Sequence, residues 1–97
     1  MKDIKTFLLT LKQPLRAPTD DDKKAHAEHL TALWKAGQLR LCGRLPGSGG
    51  AIQVLTVRDE DAARDAAGRD PFVSRGVYGS FTVEEFQEAL PEKDFVL

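Results

Sequence analysis

One cysteine, Cys42, stands in the whole chain of 97 residues. It can form no internal disulfide, so the fold must rest on packing, and a lone thiol suits a reducing, cytoplasmic setting. Neither sign of charge dominates: 14 Lys and Arg face 15 Asp and Glu, for a formal net charge of -1. With both signs spread along the chain there is no clustered basic surface of the kind that holds nucleic acid. No apolar run approaches the length that crosses a membrane. Lys2 and Lys5 followed by Phe7-Leu8-Leu9 imitate the start of a signal peptide. Thr10 and Lys12 interrupt that run early, and no small-residue cleavage site follows, so a strand is expected there. There is no internal repeat, long linker or low-complexity segment. What remains is a composition of 41% hydrophobic and 30% charged residues, that of a soluble globular protein with a single core and a single domain over residues 1–97.

Ile4 to Lys12 is apolar and almost unbroken, as in a central strand covered on both faces. Gln13 to Pro18 carries two prolines and reads as an irregular connection. Thr19 can cap a helix through the N–H of Asp22, and Asp20, Asp21 and Asp22 favour its positive end. That helix runs to about Ala36, with Gly37 as its left-handed stop. His26, His29, Leu30, Leu33 and Trp34 recur on one stripe of it. Leu39, Leu41 and Gly43 alternate with Arg40, Cys42 and Arg44, predicting a strand with one apolar face. Pro46 to Gly50 turns the chain into a β-branched third strand, Ile52 to Val57. Asp59 caps a second helix whose Ala62, Ala63, Ala66 and Ala67 line up, with Gly68 as its stop. Val77 to Val83 supplies a fourth strand. Thr82 and Glu85 also have capping-box spacing, so residues 82–90 read either as strand extension or as a short helix.

The order β-α-β-β-α-β is the split ferredoxin-like plan, an α+β fold with a four-stranded antiparallel sheet and both helices on one face. The other face is too apolar for water, because Leu8 and Leu9, and Val54 and Leu55, fill both registers of their strands. A second sheet is the simplest cover, which predicts a face-to-face homodimer through the helix-free face.

Phe7-Leu8-Leu9-Thr10-Leu11, His29-Leu30, Gly37-Gln38-Leu39, Gly43, Gly49-Gly50-Ala51-Ile52, Asp59-Glu60-Asp61-Ala62-Ala63, Asp70-Pro71-Phe72 and Gly76-Val77 follow one another in an order and spacing that carry a resemblance. By them the chain resembles the YCII-related family of dimeric α+β barrel proteins. The resemblance spans about residues 4–86. It implies a ferredoxin-like subunit paired through its sheet, with a His and an Asp in a cleft, here His29 and Asp70. Proton-transfer or elimination chemistry on small oxygenated ring compounds is the family precedent. Where the family often has Pro after the glycine of its second strand, Gly43 here is followed by Arg44.

His29 and Asp70 are accordingly the expected catalytic pair. A carboxylate bonded to one imidazole nitrogen fixes the tautomer and leaves the other nitrogen to move a proton near neutral pH. The structural alternative makes Asp70 a turn cap before Pro71 and His29 a satisfied core histidine. His26, one turn before His29, is expected at the rim of the same pocket. Arg44 is expected to hold negative charge, as Arg16 and Arg75 also can, and Trp34 and Phe72 to wall an apolar pocket. Metal and cofactor are not expected. His26 and His29 share a helix face, but no further Cys, His or Glu cluster completes a ligand set. Cys42 reads as a packed small residue and lacks a partner base. Gly47-Ser48-Gly49-Gly50 precedes a strand, not a helix, so it is a hairpin loop rather than a phosphate cradle. The expected function is proton transfer, elimination or isomerisation on a small oxygenated, in one form aromatic, compound. The alternative is a non-catalytic small-molecule-binding or accessory module using the same cleft, since neither a nucleophile with a base nor a cofactor fingerprint is visible.

Overall fold

Residues 4–96 are described by the computed structural model. The strands are β1 (Lys5–Pro14), β2 (Leu39–Leu45), β3 (Gly50–Val57) and β4 (Tyr78–Glu85), and the helices α1 (Asp20–Lys35), α2 (Glu60–Arg69) and a single-turn α3 (Pro71–Ser74). They form one four-stranded sheet in the order β2-β3-β1-β4, every neighbouring pair antiparallel. This is the α+β ferredoxin-like architecture. β1 sits at the centre, with Leu9 paired to Gln53 on one side and to Val83 on the other. Phe7, Leu9, Leu39, Leu55, Val57 and Val83 point to the helices and pack on Leu33, Ala63, Ala66 and Ala67. The alanines bring α2 close to the sheet because nothing beyond Cβ separates the layers.

Local chemistry sets the helix ends. Thr19 caps α1 by accepting from the Asp22 N–H, and the Asp22 carboxylate accepts from the Thr19 N–H in return. Gly37, at φ +74°, takes the left-handed turn that ends the helix, a conformation open to glycine at little cost. α2 does not stop at Gly68. It continues to Arg69 because the residue that breaks it is Asp70, held extended at φ -62° and ψ 126° before Pro71. The proline ring excludes the helical conformation from the residue before it. The Asp70 side chain then accepts from the Phe72 N–H and starts α3, an element the sequence pattern did not reveal.

At residues 82–85 the open choice between strand extension and helix falls to strand, and one expectation for β2 needs correction. Thr82 lies opposite Thr10, and the only helical turn after β4 among the described residues is a 3-10 turn at Pro91–Lys93. Pairing to a central strand outweighs a capping-box spacing. In β2 a register irregularity between Leu39 and Leu41 puts Leu39 opposite Leu55 and Leu41 opposite Val54. One extra residue reverses every later side chain. Leu39 is therefore buried at 8% exposure while Leu41, expected on the same face, is 53% exposed. The same shift turns Cys42 to the face of its register partner Gln53.

Candidate active site

Asp70 is wholly buried at the junction of α2 and α3, and its two oxygens gather three donors. Oδ1 accepts from the Phe72 N–H at 2.9 Å and from His26 Nδ1 at 2.8 Å; Oδ2 accepts from Gln53 Nε2 at 2.8 Å. Burial works to raise the Asp70 carboxyl, but the hydrogen bonds from His26, Gln53 and Phe72 together hold it below the usual carboxylate value. An ionised carboxylate only accepts, so the His26 proton sits on Nδ1 and, in the neutral ring, Nε2 carries the lone pair. The ring of Phe72 stacks on that imidazole with centroids 3.8 Å apart and planes within 2°. His26 is thus fixed at one edge by a carboxylate and on one face by an aromatic ring.

A cavity of about 810 Å³ opens beside this pair, lined among others by His26, Phe72, Gln53, Cys42, Lys23 and Arg44. It lies between the N-terminal half of α1 and the ends of β2, β3 and β4. Among the described residues no acidic side chain lines it. Arg16, also in the wall, is spoken for: it pairs with Asp22 at 2.6 Å and donates to the Arg75 carbonyl. The Arg16 hydrogen bond, with the Thr19 N–H, holds the Asp22 carboxyl far below its usual range. Arg75 is likewise committed to Asp21 and Asp22. This lattice ties the β1–α1 connection to the turn before β4 and frames the cavity mouth. Lys23 and Arg44, by contrast, have no acidic partner among the described residues.

The expected bond between His29 and Asp70 is made by His26 instead. Both histidines lie on the inner stripe of α1, but Asp70 lies level with the earlier turn. His29 does not line the cavity; its Nε2 is buried without a hydrogen-bond partner among the described residues. Burial pushes its imidazole below the ordinary histidine value, against the opposing pull of the Asp70 charge. A histidine so depressed keeps its full stability contribution above the unfolded value near 6.5 and loses it as pH falls through the folded value. Melting temperature should therefore drop as pH goes from 7 to 5, and His29→Leu should flatten that slope. An unchanged slope in calorimetry of the variant would assign the pH dependence elsewhere.

Phe72 and Arg44 are at the cavity as expected. Trp34 is not: it is 63% exposed near the far end of α1 and away from the cavity wall. The expected stripe included Trp34, but Leu30 and Leu33 are the residues of it that pack against the core. Among the polar wall residues the sequence reading did not single out are Lys23, Gln53 and Tyr78. Lys23 gave no signal. Gln53 did: it occupies the same core-facing register as Leu55 and Val57, and a polar side chain in such a register demands a partner.

An α+β ferredoxin-like subunit with an Asp-anchored histidine over a cavity is the class that fold and site define. Residues 4–87 match the YCII-related domain, and the chain belongs to the YCII-related family. Among solved structures it is similar to 5-chloro-2-hydroxyhydroquinone dehydrochlorinase from Burkholderia phenoliruptrix AC1100, in complex with 2,5-dihydroxybenzoquinone. The TM-score is 0.68 at 18% identity, over 86% of this chain and 94% of that one. No curated protein matches the chain.

Proposed function

We propose that the protein is a small-molecule enzyme that moves a proton with His26. The observation that carries the reading is the 2.8 Å bond from Nδ1 of His26, a residue of the cavity wall, to the buried Asp70 carboxylate behind it. Nε2 takes a proton from a carbon or hydroxyl of the substrate while Asp70 stabilises the imidazolium that forms. For elimination, the electron pair of the broken C–H bond becomes a new double bond as the leaving group departs with its own pair. For isomerisation, the same proton returns to a different carbon. Lys23 and Arg44 favour a substrate bearing negative charge, such as a phenolate or carboxylate. The similar dehydrochlorinase, named for a chlorinated hydroxyhydroquinone, supports small hydroxylated rings as the first substrates to try. The test is turnover of a panel of hydroxylated aromatics, quinones and lactones by wild type, His26→Gln and His29→Leu. Binding of panel members without turnover by any form would make the cavity a non-catalytic binding module.

The assembly we propose is a homodimer through the helix-free face, where Leu8, Leu41 and Val54 point away from the helices. Leu41, 53% exposed beside its register partner Val54, leaves apolar surface on that face that a second copy would cover. Light scattering should give twice the chain mass at micromolar concentration, and Leu41→Glu should return it to one. A wild-type monomer would end that reading.

A further inference from the structure

Gln53 is 2% exposed, lines the cavity, and its buried Oε1 has no hydrogen-bond partner among the described residues. Its orientation is not free. Nε2 donates to Asp70 Oδ2 at 2.8 Å, and a flipped amide would set Oε1 against a carboxylate oxygen. Asp70 therefore dictates that Gln53 offers an acceptor, and nothing but an acceptor, beside the reacting histidine. The groups around it do not satisfy it. Tyr78, also in the wall, spends its hydroxyl on the Gly49 carbonyl, and neither Lys23 nor Arg44, both wall residues, donates to Oε1. Buried polar atoms are almost always paired, so an orphan acceptor in a cavity wall marks where a ligand donor belongs.

We propose that Gln53 is the specificity determinant of the site, its Oε1 accepting a hydrogen bond from a hydroxyl of the substrate, on the reading that the cavity beside His26 is the active site. The substrate class is then an anion that also carries a neutral hydroxyl: the anion answers Lys23 and Arg44, the hydroxyl answers Gln53. Compounds with an ether or a hydrogen in place of that hydroxyl leave the acceptor buried and unpaired, which is how such sites reject analogues. Asp70 thereby serves two partners at once, holding the base on one oxygen and the hydroxyl reader on the other.

The probes are benzoate, its three monohydroxy isomers and their methyl ethers, with affinity measured by titration calorimetry. At least one hydroxybenzoate should bind wild type about tenfold more tightly than both benzoate and its own methyl ether. In Gln53→Met, of similar shape but without the acceptor, that preference should vanish while carboxylate binding persists. If Gln53→Met does not fold, the hydroxyl-to-ether comparison in wild type decides alone, because the ether keeps ring and carboxylate and removes only the donor. Equal affinity for ether and hydroxyl at all three positions, a preference that survives Gln53→Met, or no binding of any probe at millimolar concentration would each overturn the assignment. Failure of the proton-transfer reading looks different: turnover would survive His26→Gln while the hydroxyl preference stayed.

Discussion

His26→Gln should lower kcat/KM on any compound that wild type turns over by about 10²–10⁴-fold, the range a positioned general base supplies. Glutamine keeps a polar, cavity-sized side chain and a donor for Asp70, but no group that takes up a proton near neutral pH. Since Asp70 stays paired, folding should change little and KM should move less than kcat. His29→Leu is the control, because the two histidines are one turn apart on the same helix face. His29 lies outside the cavity wall, and its replacement should leave turnover within about twofold of wild type. The reverse pattern, with His29→Leu inactive and His26→Gln active, would restore the pair expected from the sequence.

The largest stability effect is expected at Asp70. Asp70→Ala removes a wholly buried carboxylate and strands three donors: His26 Nδ1, Gln53 Nε2 and the Phe72 N–H. Breaking a buried charged network from one side costs about 3–5 kcal/mol. For a chain of this size that is a fall in melting temperature of about 15–30 °C. Asp70→Asn should be milder. Its oxygen still accepts from His26 and Phe72, and Gln53 can turn its amide to accept from the new nitrogen. Turnover should nevertheless drop, because the anion that stabilises the imidazolium is gone. The carboxyl is held below its usual value, so its stabilisation is present above the unfolded value and is lost as pH falls through the folded one. A melting temperature unchanged in Asp70→Ala would contradict the network.

Asp70 also shows why the catalytic and structural readings of the sequence were never exclusive. Asp before Pro is turn chemistry, and the structure uses it so: the residue ends α2 and starts α3. The same Oδ1 that accepts from the Phe72 N–H accepts from His26. A cap needs one lone pair, and a carboxylate has several.

The expectation of Asp70 near an α1 histidine comes from the resemblance to the YCII-related family. By itself the sequence determined the order of the four strands and the two long helices, the Thr19 and Asp59 caps, the Gly37 stop and the alanine face of α2. These depend on neighbours within a turn or on a period of 2 or 3.6, which a string of residues displays directly. Tertiary structure alone decided which histidine meets Asp70. His26 and His29 satisfy the same helical stripe, and the choice rests on how far α1 slides along α2 and α3, a rigid-body offset with no periodic signature. It likewise decided that the β2 irregularity would send Leu41 outward and Cys42 toward the cavity. Gln53 falls between the two: its polar intrusion into the register of Leu55 and Val57 was legible, but its partner, 17 residues away at the α2–α3 junction, exists only once the chain has folded.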